Sequence, residues 1–264
     1  MPYEHKSKAG NLGDVFKHLA LIQLLDSQLT RHSNKTFCFA DTYAGLPGYP
    51  LSQSKGWKKG VGKLTQIDVP KVPSARFWRQ HVALCNQTST PAMYPGSVTL
   101  AERLITEHGK KPQLLLWDSS TENCAILTAT FKSARMVHEG KTKADDLLLE
   151  QADFLLIDPP GLSSKIHPDY PKWAYICSFL ALPNHMLVWL PLYDKKNGRR
   201  AVSHRQVRKL AMALDMGVSE VTWGESGMIG CQLLYRCDED AKLPLQQVLS
   251  WMAEEIVNCR IRHF

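Results

Sequence analysis

An apolar run, Phe154-Leu155-Leu156-Ile157, stops at Asp158-Pro159-Pro160. A run that is apolar at every position has no solvent side, so it predicts a strand covered on both faces, as in a parallel sheet between helices. Neither proline can continue a ladder, each fixes its own φ, and the residue before each is held extended. The aspartate and the neighbouring carbonyls therefore leave the strand end as a rigid cluster of hydrogen-bond acceptors. Such a cluster suits chemistry at an exocyclic amine of a base. That lone pair is delocalised into the ring, and acceptors for the two hydrogens hold the nitrogen facing a methyl donor. The same tripeptide also occurs where a strand merely enters an extended loop, so the rest of the chain has to decide.

Similar runs recur. Thr36-Phe37-Cys38-Phe39-Ala40 reads as a strand ending at Asp41, Leu114-Leu115-Leu116-Trp117 as one ending at Asp118, and Met186 to Leu190 as another. Apolar spacing predicts helices over about Asp14 to Leu29, from about Ser97 with that serine as N-cap, near Glu122 to Lys132, and from about Leu245 to Val257. A short strand is expected over Arg135 to His138. Val218 to Trp223 and Met228 to Tyr235 follow each other too closely for a helical crossover, which predicts an antiparallel hairpin at one sheet edge. The expected fold is α/β: a mostly parallel, doubly wound sheet of the Rossmann-like methyltransferase layout, with a terminal antiparallel hairpin. Residues 50–93 fit no strand–helix rhythm and read as a small inserted subdomain. That divides the chain into an N-terminal motif with the start of the main domain (1–49), the insert, and the remainder of the main domain (94–264).

Ligands of such sheets sit beyond the carboxyl ends of the strands, at the point where strand order reverses. The first strand delivers Asp41-Thr42-Tyr43-Ala44-Gly45-Leu46-Pro47-Gly48 there. Glycine lets backbone approach a ligand closely, although this is not the Gly-x-Gly-x-x-Gly fingerprint and such turns also serve purely structural ends. Asp118 stands where an acid can accept both hydroxyls of a ribose; a solvated strand-end aspartate is the plain alternative. The joint order of glycine turn, second-strand acid and Asp-Pro-Pro favours the ligand-binding reading.

Lys+Arg 32 against Asp+Glu 25 gives a net charge of +7, which suits a partner carrying phosphates. Two stretches fit phosphate contact: Lys195-Lys196-Asn197-Gly198-Arg199-Arg200 continuing to His204, Arg205, Arg208 and Lys209, and the insert's Lys55, Trp57, Lys58, Lys59 and Lys63. Both also read as solvated loops. The seven cysteines are scattered singly with no Cys-x-x-Cys, which predicts reduced thiols in a cytoplasmic protein and neither a disulfide frame nor a metal site. The apolar stretch from Met186 to Leu192 is too short to span a bilayer, and Met1 to Lys17 contains no signal-peptide core. No membrane association is expected.

The N-terminal block Tyr3-Glu4-His5-Lys6-Ser7-Lys8-Ala9-Gly10-Asn11-Leu12-Gly13-Asp14-Val15-Phe16-Lys17-His18 resembles the signature of the RlmJ family. Those enzymes use S-adenosylmethionine to methylate N6 of an adenine in 23S ribosomal RNA. Asp41-Thr42, Ala44-Gly45, Gly48-Tyr49, Tyr94-Pro95-Gly96-Ser97 and Asp158-Pro159-Pro160 continue the likeness in the same order. The resemblance implies S-adenosylmethionine as cofactor and 23S ribosomal RNA, protein-free or early in assembly, as partner. Carried over by position, Lys17 and His18 would line the cofactor side and Asp41 and Gly45 the methionine end. Ser97 would lie near the donor, and Asp118 would hold the ribose. Tyr3 and His5 would sit at the target base, with Asp158 and the Pro159 carbonyl accepting from its N6 amine.

Three departures stand out. The family's Asp-Pro-Pro-Tyr is Asp-Pro-Pro-Gly here, ending at Gly161, which removes a stacking surface worth about 1–3 kcal/mol per base. Either Tyr3 carries more of the stacking, or Tyr170 or Trp173 substitutes, or the substrate differs. Pro47 stiffens a turn that is Ala-Gly-Ala-Gly in relatives, and Asp118 is followed by Ser119-Ser120 in place of the family's histidine and proline. An acid contacting the cofactor adenine is not evident; Asp145 is a candidate. Two other readings stay open: a methyltransferase of DNA adenine or another amine, and a nucleic-acid-binding protein on a methyltransferase scaffold.

Overall fold

The computed structural model describes residues 7–64, 73–84, 93–132, 134–139, 149–160, 173–193, 204–224, 227–255 and 259–264. In chain order the elements are α1 (Leu12–Arg31), β1 (Thr36–Asp41), β2 (Gly48–Pro50), α2 (Val61–Leu64), α3 (Pro73–Leu84), β3 (Met93–Pro95) and α4 (Ser97–Glu107). Then come β4 (Lys111–Asp118), α5 (Thr121–Thr130), β5 (Ala134–Glu139), β6 (Phe154–Ile157), α6 (Trp173–Leu180) and β7 (His185–Tyr193). The chain finishes with α7 (His204–Ala213), β8 (Gly217–Thr222), β9 (Met228–Arg236), α8 (Glu239–Glu255) and β10 (Arg260–His263).

The described strands build an eight-stranded sheet in the order β10-β8-β9-β7-β6-β1-β4-β5. β5, β4, β1, β6 and β7 run parallel, and β9, β8 and β10 add antiparallel pairings beyond β7. This is the doubly wound, Rossmann-like arrangement expected from the sequence. Alternation along the strands feeds two cores. Phe37, Phe39, Phe154 and Leu156 pack toward α1, α4 and α8 on one face. Cys38, Ala40, Leu155 and Ile157 pack toward α6 and α7 on the other. Covering both faces is why Phe154 to Ile157 is apolar throughout.

Helix α1 carries much of the first core. Asn11 caps it, its side-chain oxygen accepting from the Asp14 N–H at 3.1 Å. Phe16, Leu19, Leu21, Ile22, Leu24 and Leu25 are all buried, since α1 packs against α3, α4 and α8 as well as the sheet. Each such side chain contributes about 1.5–3 kcal/mol relative to exposure. Between 50 and 93 the described residues share this core, Val61, Ala75, Phe77, Trp78 and Val82 packing with α1. β2 and β3 pair antiparallel at the base of the excursion, so the chain leaves and returns at neighbouring points.

Two local expectations differ. Ser97 is the first residue of α4, not its cap: the extended Gly96 (ψ 166°) precedes it and makes no side-chain cap. A Cβ at Gly96 would fall 2.2 Å from the Leu46 carbonyl oxygen, so close packing of the two turns explains the glycine. The hairpin β8–β9 is not the sheet edge, because β10 pairs outside β8. No described helix is long and apolar enough to cross a membrane.

Candidate active site

β1 pairs with β4 on one side and β6 on the other, which makes its carboxyl end the reversal point of the parallel strands. The chain is stitched across that point. The Thr42 N–H donates to the Leu156 carbonyl at 3.1 Å, and the Ala44 N–H to the Trp117 carbonyl at 2.9 Å. The Gly45 N–H then donates to Asp118 Oδ2 at 2.9 Å. Gly45 adopts φ +64°, and a Cβ there would lie 2.2 Å from the Tyr49 hydroxyl. That hydroxyl accepts from the Leu46 N–H at 2.8 Å, so Tyr49 supports the turn from beneath. The glycine turn is thus held from three sides in a conformation that costs an L side chain roughly 1–2 kcal/mol.

Asp41 ends β1 fully buried. Ser97 Oγ donates to one carboxylate oxygen at 2.7 Å and the Tyr43 N–H to the other at 3.0 Å. Burial pushes its pKa up to about 7, with the Asp158 charge adding to the rise and the two hydrogen bonds and Lys17 opposing it. Asp118, at the end of β4, accepts from the Ser120 N–H at 2.8 Å and Asn123 Nδ2 at 3.1 Å in addition to Gly45. Partial burial raises this carboxyl as well, against those same bonds.

Asp158 follows β6, and Lys17 of α1 reaches it: Nζ lies 2.5 Å from Asp158 Oδ2 and 3.1 Å from Asp14 Oδ1. The lysine side chain is 5% exposed. Burial is the largest influence on it and favours loss of the proton, yet the charges of Asp158 and Asp14 and their hydrogen bonds together outweigh this and hold the ammonium well above its ordinary pKa. Asp14 turns its second oxygen to the Gly10 N–H at 2.9 Å. Gly10 itself sits at φ +75°. Its carbonyl accepts from Val61, Ser54 Oγ donates to the Ala9 carbonyl, and the Lys55 N–H donates to the Ser7 carbonyl. The described start of the N-terminal block is therefore fastened to residues 54–61.

The structure brings together Lys17, Asp41, Ser97, Asp118, Gly45, Asp158 and Pro159 at one end of the sheet. His18, the next residue on α1, turns instead to Tyr94, with Nδ1 2.8 Å from the hydroxyl and the rings stacked at 5.3 Å. Tyr3, His5, Asp145, Gly161, Tyr170 and the run Lys195 to Arg200 lie outside the described residues. Asp14 received no role from the sequence, although its i,i+3 spacing to Lys17 was a usable signal. Tyr49 and Asn123 were likewise passed over. Among the described residues no group of three His, Cys, Asp or Glu side chains is placed to hold a metal ion.

No family model matches the chain. It is 28% identical to the ribosomal RNA large subunit methyltransferase J of Haemophilus influenzae, over 87% of this chain and 86% of that protein. The Escherichia coli protein of the same description is 22% identical, with 100% of this chain and 96% of that one covered. The chain is a homologue of these large-subunit methyltransferase J proteins. A crystal structure of a Legionella pneumophila DUF519 protein superposes with a TM-score of 0.70 at 20% identity, covering 97% of both chains. At that identity the match speaks for the fold, and it extends to nearly the whole length of both.

Proposed function

We propose that this chain is an S-adenosylmethionine-dependent methyltransferase acting on the N6 amine of an adenine in 23S ribosomal RNA. The observation that carries the reading is the acidic cluster at the strand-order reversal. Asp14 and Asp158 bond one buried ammonium, Lys17; Asp41 ends the neighbouring strand close enough to feel the charges of Lys17 and Asp158, and Asp118 ends the next. Such a site has an excess of negative charge to balance, and S-adenosylmethionine carries an ammonium, a sulfonium and a ribose diol. The donor set fits that molecule. Asp41 and the Gly45 turn would take its methionine end, and Asp118 would take the ribose. The methyltransferase J names of the homologues support ribosomal RNA as the acceptor.

Bound there, S-adenosylmethionine would supply a methyl group already activated on sulfur, open to in-line attack by N6 on the methyl carbon with S-adenosylhomocysteine as leaving group. The chain's own work is positioning. Lys17 occupies Asp158 Oδ2, which fixes the carboxylate rotamer and leaves Oδ1 for an N–H of the amine. The Pro159 carbonyl, fixed by the diproline corner, accepts the second hydrogen. N6 becomes acidic only once methylated, and water takes that proton, so Asp158 need not act as a strong base. Tyr3 and His5 complete the base-binding side in this reading.

Asp158→Ala tests the assignment. Transfer should fall by about 100-fold or more through loss of amine orientation, while binding of S-adenosylhomocysteine, measured by calorimetry, persists. A variant that methylates RNA at the parental rate would remove Asp158 from the reaction.

A further inference from the structure

We propose that the exposed side of α7 and the edge strand β10 form one cationic track that docks the phosphate backbone of the RNA substrate, an inference that rests on the reading of this chain as an RNA methyltransferase. The two elements are distant in sequence, and the sheet register puts their cations on one face. Val218 on β8 packs into the core beneath Val207 and Ala211 of α7. Side chains alternate along a strand, so Glu220 and Thr222 share that face. Their ladder partners are Arg262 and Arg260, and residues directly opposite each other project to the same side. Phe264 exchanges two backbone hydrogen bonds with Val218, and the Arg208 guanidinium lies 4.2 Å over its ring. The opposite side of β10 is accounted for, since His263 turns to Ser219 at 2.8 Å and to Ser250 of α8 at 3.1 Å.

Arg205, Lys209, Arg260 and Arg262 are exposed. No acidic side chain pairs with any of the four among the described residues. The carboxylate on this face, Glu220, is engaged by Gln232 at 3.0 Å and lies 3.7 Å from Arg208. Four cations without counter-charges in one row are the chemistry of phosphate recognition.

The track begins at the catalytic end. Gln232 Nε2 donates to the His204 carbonyl at 3.3 Å, and Gln232 is level with Leu190 of β7 and Glu220 of β8. Val188, two residues before Leu190, pairs with Ile157, so the start of α7 stands level with the Asp158 corner. β6, β7, β9 and β8 are consecutive neighbours. Three strand spacings of about 4.8 Å to β8 and four to β10 put the track about 14–19 Å to the side of that corner. An RNA strand whose target base enters at Asp158 has its flanking phosphates within such a span.

The test compares the parent with R205Q/K209Q/R260Q/R262Q. Glutamine avoids placing a second acid opposite Glu220. Thermal melting and S-adenosylhomocysteine binding confirm that the variant is folded and its cofactor site intact. Binding to protein-free, unmodified 23S RNA is then measured from 50 to 200 mM salt, with methyl transfer in parallel. The expected variant binds RNA at least tenfold more weakly at 100 mM salt, with a log–log salt slope shallower by about 3, from roughly 0.7–0.9 per lost phosphate contact. Equal affinity and slope, with methyl transfer by the parent intact, would overturn the track and leave the enzyme reading standing. A parent that neither binds nor methylates the RNA would overturn both.

Discussion

Lys17 is the residue on which the site's charge balance turns. Its ammonium serves two carboxylates in a place closed to water, and breaking a buried pair leaves charge uncompensated, at a cost of about 3–5 kcal/mol. Lys17→Met should therefore lower unfolding free energy by about 3 kcal/mol in urea titrations. Adding Asp14→Asn to that variant should recover part of the loss, because one orphaned charge is removed. A single variant as stable as the parent would contradict the ion-pair account. Asp41 makes a separate prediction. Its carboxyl titrates near 7 instead of its ordinary 3.8, chiefly through burial. If the cofactor's ammonium selects the ionised form, affinity for S-adenosylhomocysteine is flat above pH 7 and falls by about tenfold per unit below it. Asp41→Asn should flatten that profile. The linkage to stability runs the opposite way. The folded chain holds this proton more tightly than the unfolded one between about pH 4 and 7, so the contribution of Asp41 to stability declines as pH rises through that window. An affinity independent of pH from 5.5 to 8 would show that Asp41 does not face the cation.

Among the elements, the turn after β1 is the most exacting. Gly45 needs φ +64°, and the Tyr49 hydroxyl fills the space a Cβ would take. Gly45→Ala should weaken S-adenosylhomocysteine binding by at least tenfold. Adding Tyr49→Phe should restore some of that, since it removes the clashing atom. Tyr49→Phe alone should cost about 1–3 kcal/mol of stability by leaving the buried Leu46 N–H without an acceptor. Calorimetric titration of the three variants reads the pattern directly. A Gly45→Ala protein with unchanged Kd would mean that the turn is structural only. The strands that build this end were legible because each is apolar and ends on an acid. β10 was not: Arg260-Ile261-Arg262-His263 alternates charge with a half-buried side, as an edge strand must, and alternation that weak is shared by many loops. α3 was missed for a related reason. Its apolar residues Phe77, Trp78 and Val82 are spread among Arg76, Arg79 and His81, and only packing on α1 reveals them as core.

At the scale of the molecule, five parallel strands place Asp41, Asp118 and Asp158 on the ends of adjacent strands, although the residues are far apart in sequence. The order of acids along the chain was enough to predict that they end neighbouring strands, because topology is regular wherever apolar runs alternate with helices. Partner choice within the site was not readable in the same way. That Lys17 bonds Asp158 and Asp14, and that His18 turns away to Tyr94, depends on how α1 is rotated against the sheet. Rotation of a helix is set by packing on several neighbours at once, which no local pattern records.

The proposed role of this acidic end of the sheet is to direct a methyl group to an adenine amine in ribosomal RNA. The most direct measurement is transfer of labelled methyl from S-adenosylmethionine to protein-free 23S RNA lacking its natural modifications. The product is digested to nucleosides and separated, with duplex DNA alongside. Label is expected in N6-methyladenosine from RNA and none from DNA. Label in another nucleoside, in DNA instead, or in neither while the cofactor is demonstrably bound, would contradict it.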